Sequence, residues 1–180
     1  TMKSALVLVP PNIASMDSVA GGRFQATYNA DGTEASHWIP LWMCYAAAAV
    51  PTARAMDCNL ERISREEFVR TVPEYDIYVF YANQETTPYD LETARLLRGV
   101  RGNALIVFAG PYATVLPENI LSSPWVDAVI RGEVELPLRE LCLNRPLSEI
   151  NSLSWRNGAE IVNTGDAAKN VSGRARPLPC

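Results

Sequence analysis

The chain has 180 residues, of which 48% are hydrophobic and 20% charged, and a formal net charge of −4 at pH 7. This length and composition suit one globular domain with its own core and exclude wholesale disorder. The negative charge argues against a nucleic-acid-binding surface, which needs a clustered excess of Lys and Arg. His37 is the single histidine, which excludes a metal site or a proton relay built from several histidines.

The cysteines lie far apart, as Cys44, Cys58, Cys142 and Cys180, and form no CxxC pair. Structural zinc sites and thioredoxin-type motifs need such pairs, so neither is predicted. The amino terminus runs directly into an apolar segment without a signal-peptide pattern, which predicts a cytoplasmic protein with reduced thiols. The longest apolar stretch, residues 38–50, is shorter than the roughly 20 residues of a membrane-spanning helix. We expect it to form a buried helix.

Short apolar runs typical of β-strands alternate along the chain with helical patterns. Ser64 and Glu67 form a capping box, and Thr87 followed by Pro88 predicts an N-cap with a first-turn proline. The βαβαβ order predicts a doubly wound, flavodoxin-like (Rossmann-like) parallel sheet of five strands with helices on both faces. The predicted strands are residues 5–9, 59–63, 76–81, 104–108 and 126–130, and the predicted helices are residues 40–53, 64–72, 87–99, 118–121 and a last one ending near residue 141.

The carboxyl-terminal part of the chain changes character after residue 145. Asn157-Gly158 separates two short runs, residues 153–156 and 159–162, and this dipeptide is a strong hairpin signal. Beyond Asn163 the sequence has no periodicity. We therefore expect an α/β domain at 1–145, a β-hairpin extension at 146–163 and a linker or truncated end at 164–180.

Ligands of an open parallel sheet bind outside the carboxyl ends of its strands, so the loops that follow the strands carry the functional information. These loops are residues 10–12, 81–87, 109–114 and 131–135, and they contain neither a GxGxxG nor a Walker A sequence. Their small residues, hydroxyls and backbone amides suit a bulky neutral or amide-bearing ligand. The ordinary preferences of αβ turns explain the same residues equally well.

Three motifs in and after these loops resemble a known family. They are Ala109-Gly110-Pro111-Tyr112-Ala113-Thr114, then Pro117-Glu118, then VDAVIRGEVE at residues 126–135. In their order and spacing they resemble the cobalamin-binding domain of cobalamin-dependent radical SAM enzymes, whose runs are Gly-Gly-Pro-His-Ala-Thr, Pro-Glu and Val-Asp-x-Val-x-Arg-Gly-Glu-Gly-Glu. The strand followed by Pro-Pro and the Leu-Ser-Trp-Arg-Asn-Gly hairpin also fit, so the resemblance covers most of residues 3–163.

The resemblance implies that residues 1–145 bind cobalamin. The Asp-x-His-x-x-Gly motif of histidine-ligated cobalamin modules is absent, so the implied state is base-off with no histidine on cobalt. Neither a catalytic residue nor a protein metal ligand is assigned to this chain. The implied cofactor-binding residues are Pro11, Asn12, Tyr81, Ala82, Asn83, Gln84, Ala109, Gly110, Pro111, Tyr112, Thr114, Gly132 and Glu133.

The Cys-xxx-Cys-xx-Cys motif that holds a [4Fe–4S] cluster in such enzymes is absent from these residues. The resemblance therefore implies the N-terminal module of a longer radical SAM enzyme, a methyltransferase or cyclase of biosynthesis. Its following domain would hold the cluster and S-adenosylmethionine, and the chain alone would be non-catalytic. Two alternatives stay open: a flavodoxin-like binding or signalling module with another ligand or none, and a stand-alone corrinoid carrier.

Four positions depart from the family pattern. Ala109 replaces the first glycine, Tyr112 a common histidine and Val134 a glycine, while Tyr81 stands where relatives often have a serine facing the nucleotide tail. The methyl group of Ala109 limits how closely a ligand can approach the backbone. Tyr81 has an aromatic ring where the family's serine has a small side chain. These changes bear on how the tail is held and leave the fold prediction intact.

The segment before and within the first predicted helix carries aromatic residues and the histidine. His37 is expected to be a capping or surface residue, and Trp38, Trp42 and Tyr45 recur near helical spacing, which favours a place in the core. The loop at 12–36, with Phe24 and Tyr28, either flanks the corrin ring or packs elsewhere.

Overall fold

The computed structural model describes residues 1–11 and 40–166, together with two short paired strands, β2 (Thr27–Tyr28) and β3 (Glu34–Ser36). The main sheet has the order β4-β1-β5-β6-β7-β8-β9. Its first five members are parallel, and the last two are antiparallel additions beside β7. The strands are β1 (Ala5–Val9), β4 (Ala53–Asp57), β5 (Ile77–Tyr81), β6 (Leu105–Ala109), β7 (Ala128–Ile130), β8 (Leu153–Asn157) and β9 (Glu160–Asn163).

Helices cover both faces of this sheet. Side chains of α1 and α6 join one buried cluster, and those of α2, α3, α4 and α5 join a second cluster on the opposite face. The described helices are α1 (Leu41–Ala48), α2 (Arg65–Thr71), α3 (Thr87–Val100), α4 (Pro111–Val115), α5 (Pro117–Leu121), α6 (Glu135–Cys142) and a 3-10 turn at Leu147–Glu149.

The central strands are buried on both faces because helices cover both. Every residue of β1 and β5 is buried, as expected for continuous apolar runs in a parallel sheet. Along β1, Ala5, Val7 and Val9 face the α1–α6 cluster while Leu6 and Leu8 face the other. The predicted doubly wound, flavodoxin-like sheet is confirmed, and the hairpin extends it by two strands.

The second predicted strand was wrong in position. Residues 59–62 form turns and Ile63 belongs to no strand, and β4 lies earlier, at Ala53–Asp57, because α1 already ends at Ala48. Asp57 Oδ1 accepts from the backbone N–H groups of Asn59 and Leu60 at 3.0 and 3.1 Å, an Asx-type turn that ends the strand. As an edge strand, β4 exposes Arg54 and Ala55, so it lacks the apolar run that marks its neighbours.

Two helix starts test the capping predictions. The Ser64 hydroxyl accepts from the Glu67 N–H at 3.1 Å, which confirms it as the N-cap of α2. The Thr87 assignment was wrong: α3 begins at Thr87, and Thr86 occupies the N-cap position. The reason is that the Thr87 hydroxyl donates backward to the Asn83 carbonyl, so Thr87 already belongs to the helical turn.

The hairpin prediction is confirmed. Asn157 pairs with Glu160, and Gly158 has φ 63°, which places glycine at the first central position of the two-residue turn. Cys44, Cys58 and Cys142 are free thiols. Among the helices of the described residues, none is long and apolar enough to cross a membrane.

Candidate binding site at the carboxyl edge of the sheet

The loops after β5, β6 and β7 meet at the carboxyl edge of the parallel sheet. The Ala82 N–H donates to the Ala109 carbonyl at 2.7 Å, which joins the first two loops. The Thr114 hydroxyl donates to the Gly110 carbonyl and accepts from the Gly132 N–H, both at 2.8 Å, which joins the second and third. We call these loops, residues 81–84, 109–114 and 131–133, the rim.

Gly110 is the tightest point of the rim. Its φ of 108° lies in the left-handed region, and a Cβ there would stand 2.8 Å from the Ala82 carbonyl oxygen and 3.0 Å from the Tyr81 ring. Only glycine satisfies both constraints. Ala109, by contrast, is the last residue of β6, and its methyl packs into the α1–α6 cluster. The alanine that departs from the family pattern therefore adds its methyl to the core.

Asn83 is a fixed amide at the end of β5. Its Oδ1 accepts from the Thr86 N–H at 2.7 Å, and its own carbonyl accepts from the Thr87 N–H at 3.1 Å. The first bond orients the side chain, and its Nδ2 is buried without a partner among the described residues. A buried unpaired N–H costs free energy unless a ligand supplies the acceptor. Asn83 thus offers a preoriented donor for a ligand oxygen.

Tyr81, the first residue of the rim, packs between Gly110 and α1. Its ring stacks on Trp42 with centroids 4.4 Å apart and planes 27° from parallel, while its edge lies against Gly110. Only 9% of Tyr81 is exposed, and burial raises the pKa of its phenol, so the group stays neutral. The ring that replaces the family's serine therefore occupies the space between α1 and the rim.

Trp42 belongs to this site as well as to the core. Helical spacing favoured a core role, and Trp42 does pack against the α1–α6 cluster. Its Nε1 is buried without a partner in the described part of the chain. Trp42 is the second residue of α1, and α1 begins at the carboxyl edge because it follows the connection from β1. The position of Trp42 at the start of α1 could have predicted its contact with Tyr81, whereas the helical spacing of the aromatic residues could not.

The remaining predicted residues divide between the core and the surface of the same edge. Pro11 and Ala82 are buried, Tyr112 is half-buried, and Gln84, Pro111, Thr114, Gly132 and Glu133 are exposed. Val134, the other departure near β7, packs into the α1–α6 cluster. Asn12, Phe24, His37 and Trp38 lie outside the described residues, as does most of the loop at 12–36.

The donor that the rim leaves open is a neutral one. The Thr114 hydroxyl and the N–H groups of Ala82 and Gly132 are bonded within the rim, so the Asn83 amide is the donor offered to a ligand, beside open space at the bare backbone of Gly132. Within residues 1–11 and 40–166, His, Cys, Asp and Glu form no cluster of three or more that could hold a metal ion. This donor set fits a large ligand rich in amide and other neutral acceptors.

The chain is similar to known proteins in sequence and in fold. The chain is 28% identical over 156 residues to the anaerobic magnesium-protoporphyrin IX monomethyl ester cyclase of Cereibacter sphaeroides, covering 78% of this chain and 26% of the cyclase. Its fold matches the radical S-adenosylmethionine methyltransferase TsrM from Kitasatospora setae, with cobalamin and a [4Fe–4S] cluster bound, at a TM-score of 0.66 and 14% identity.

A second solved structure, the cobalamin-dependent S-adenosylmethionine radical enzyme OxsB with aqua-cobalamin bound, matches at a TM-score of 0.70 and 14% identity. Both matches cover 99% of this chain, but only 31% of TsrM and 24% of OxsB. The chain therefore spans 24–31% of the length of these three proteins. The family model described as the B12 binding domain matches residues 32–142, more than half of the chain. The chain belongs to the B12-binding domain family, and the cofactor of this domain is cobalamin.

Proposed function

We propose that the rim binds cobalamin in the base-off state, with no histidine on cobalt, on behalf of a longer radical SAM enzyme. The observation that carries the proposal is the buried, preoriented Nδ2 of Asn83 at the carboxyl edge. Cobalamin carries many amide groups and a phosphodiester, so it presents oxygen acceptors to such a donor. The absence of an Asp-x-His-x-x-Gly motif supports a cobalt without a protein histidine.

Different residues of the rim have different roles in binding the cofactor. Asn83 donates to a cofactor oxygen, and the bare backbone of Gly132 lets a large ring approach closely. Thr114 keeps the loops after β6 and β7 at a fixed separation through its two hydrogen bonds. Bound cobalamin supplies a cobalt-held group for transfer, while the protein supplies orientation.

The lengths of the relatives support a larger parent protein. Because the chain spans 24–31% of the proteins it matches, we infer a following radical SAM domain that holds the [4Fe–4S] cluster and S-adenosylmethionine. The parent reaction is then a methyl transfer or a cyclisation, and this chain alone is non-catalytic. In this scheme residues 1–145 bind cobalamin in the cytoplasm, residues 146–163 are a hairpin extension, and residues 164–180 are a linker.

Retention of cobalamin by the purified chain tests the proposal. The chain is mixed with hydroxocobalamin and desalted, and its visible spectrum is recorded. We expect about one corrinoid per chain, given one site, with a base-off spectrum. No retained corrinoid would refute binding at this site. Retention with a spectrum typical of a nitrogen ligand on cobalt would refute only the proposed ligation state, in which neither the cofactor's base nor a histidine is bound to cobalt.

The substitution Asn83→Asp sharpens this test. It keeps the oxygen that accepts from Thr86 and replaces the free donor by a second acceptor. We expect the affinity for hydroxocobalamin to fall about tenfold or more, which corresponds to the loss of one buried hydrogen bond. The matched control is Asn103→Asp, the same change on an exposed residue of the turn before β6. Equal affinity of Asn83→Asp and Asn103→Asp would contradict a donor role for Asn83.

A further inference from the structure

Arg131, the first residue of the third rim loop, binds the segment that follows the hairpin. It comes directly after β7, and its guanidinium forms an ion pair with Asp166 at 2.8 Å and donates to the Thr164 carbonyl. The Arg131 side chain is 17% exposed, while that of Asp166 is 79% exposed. A largely buried guanidinium therefore binds two groups of a segment that is itself at the surface.

The backbone of the same segment pairs with the start of β8. The Ser152 N–H donates to the Gly165 carbonyl at 2.7 Å, and the Thr164 N–H donates to the Leu153 carbonyl at 2.9 Å. Ile130, the last residue of β7, pairs with Leu153. Residues 164–166 consequently lie at the carboxyl edge, the edge that carries the rim.

The loop that contains Arg131 contacts both the rest of the rim and residues 164–166. Gly132, its neighbour, donates to the Thr114 hydroxyl and thereby belongs to the rim. The Nε of Arg131 is buried without a partner among the described residues, which carries a free-energy cost. Movement at residues 131–132 would act on the rim and on residues 164–166 together.

We propose that Arg131 is a positioning residue that clamps residues 164–166 against the carboxyl edge and couples their stability to occupancy of the rim. The coupling rests on the proposed binding of cobalamin at the rim. In a longer protein, the clamp would lead the chain out beside the bound cofactor, so that the partner this edge faces is the following domain of the same polypeptide.

Amide hydrogen exchange of the whole chain tests the clamp without any ligand. We expect the Arg131→Gln substitution to speed exchange at Ser152 and Thr164 about tenfold, the loss of one or two hydrogen bonds. Arg131→Lys keeps the charge but lacks the planar fork, so it should restore part of the protection. The control Arg156→Gln, whose guanidinium donates to the Ser123 carbonyl at 3.0 Å, should leave both amides unchanged.

The same measurement with hydroxocobalamin tests the coupling. Cobalamin should slow exchange at Ser152 and Thr164 about threefold in the unmodified chain. It should have little effect in Arg131→Gln, because that variant lacks the guanidinium that holds residues 164–166. Arg131→Gln should also bind cobalamin about threefold more weakly, because coupling is reciprocal.

Three results would overturn parts of this scheme. Equal exchange in Arg131→Gln and the unmodified chain overturns the clamp. A retained corrinoid, seen in the visible spectrum, that leaves both amides unchanged overturns the coupling alone. No retained corrinoid overturns the proposed function together with the coupling, and the unliganded comparison still decides the clamp. If Arg131→Gln does not fold, Asp166→Asn replaces it; because its carboxylate is exposed, a smaller, severalfold increase in exchange is expected, and no increase overturns the clamp.

Discussion

The two edges of the parallel sheet use their polar groups differently. At the amino edge, Asp127 Oδ2 accepts from the Ile106 N–H at 2.7 Å and from Arg98, whose guanidinium also donates to the Gly102 and Ala104 carbonyls at 2.9 and 2.7 Å. At the carboxyl edge, Asn83 has a buried amide donor without a partner among the described residues, and Gly132 has open space where a side chain would stand. The amino edge also has a buried donor without a partner among those residues, the Nε of Arg101, and a cavity bordered by Asp76, Arg98 and Asp127. The groups that fix the amino edge are thus charged side chains bonded to one another, whereas the carboxyl edge offers a neutral amide beside an open backbone.

This difference follows from how a parallel sheet is built. All five parallel strands end at the same edge, so the loops that lead from each strand to the next helix lie side by side there. Such loops can bind one ligand together. At the other edge the chain only has to enter the next strand, and charged side chains can fix that entry. Substitutions at the amino edge should therefore affect stability alone, while those at the rim should affect stability and binding.

The largest expected effect comes from adding one methyl group at the rim. Gly110→Ala places a Cβ 2.8 Å from the Ala82 carbonyl oxygen at φ 108°, so it combines backbone strain with a clash against backbone. We expect the free energy of unfolding to fall by about 2–4 kcal/mol, measured by urea denaturation. The folded fraction should also lose affinity for cobalamin, because the three rim loops are joined around this residue.

The matched control is the same change at the amino edge. In Gly102→Ala the nearest atom to the new Cβ is the Arg98 carbonyl oxygen at 3.8 Å, and the φ of Gly102 is outside the left-handed region. Its unfolding free energy should change by about 0.5 kcal/mol or less. Similar losses for both alanine variants would remove the distinction between the edges.

Asp127→Ala gives the next largest effect and tests the amino edge. It removes the acceptor shared by Arg98 and the Ile106 N–H, and the expected loss is about 1–3 kcal/mol of unfolding free energy. Asp127→Asn keeps an acceptor and should lose less. Cobalamin titrations of the folded variants should match the unmodified chain, and a weaker affinity in either variant would show that this edge also supports the binding site.

Much of the fold could be predicted from the sequence because the central strands are recognisable by their composition. Residues 5–9 and 77–81 are continuous apolar runs, and burial on both faces requires such runs. The edge strand β4 could not be found this way, since its exposed residues include Arg54. Its position is fixed by pairing with β1, Ala5 against Ala53, a contact between residues far apart in sequence.

The candidate site shows the same limit. Local motifs pointed to Gly110 and Thr114, and the structure brings both together with Gly132 in one rim. Trp42 was predicted to lie in the core, and it does pack against the α1–α6 cluster. Helical spacing did not show that it also stacks on Tyr81 at the carboxyl edge. The contact of Arg131 with Asp166 joins residues 35 apart. It depends on the register of β7, β8 and β9, which no short motif encodes.

The smallest expected effect is a pH dependence confined to the amino edge. Asp76 accepts from the Ser4 N–H and hydroxyl at 2.7 and 2.8 Å, and these bonds, with a smaller contribution from Lys3, lower the pKa of its carboxyl below the ordinary value of 3.8. A lowered folded-state pKa contributes stability above the unfolded-state pKa, and that stability is lost as the pH falls through the folded-state pKa.

Asp76→Asn keeps an acceptor and removes the charge, so it isolates this contribution. The urea midpoint of the unmodified chain should exceed that of Asp76→Asn at pH 6, and the gap should narrow as the pH is lowered below 3.8. Glu74→Gln, a like change on a neighbouring exposed residue, is the control for general charge effects. Since Asp76 is at the amino edge, cobalamin affinity at pH 6 should be the same in all three chains. If the difference in cobalamin affinity between Asp76→Asn and the unmodified chain depended on pH, the amino edge would also influence the binding site.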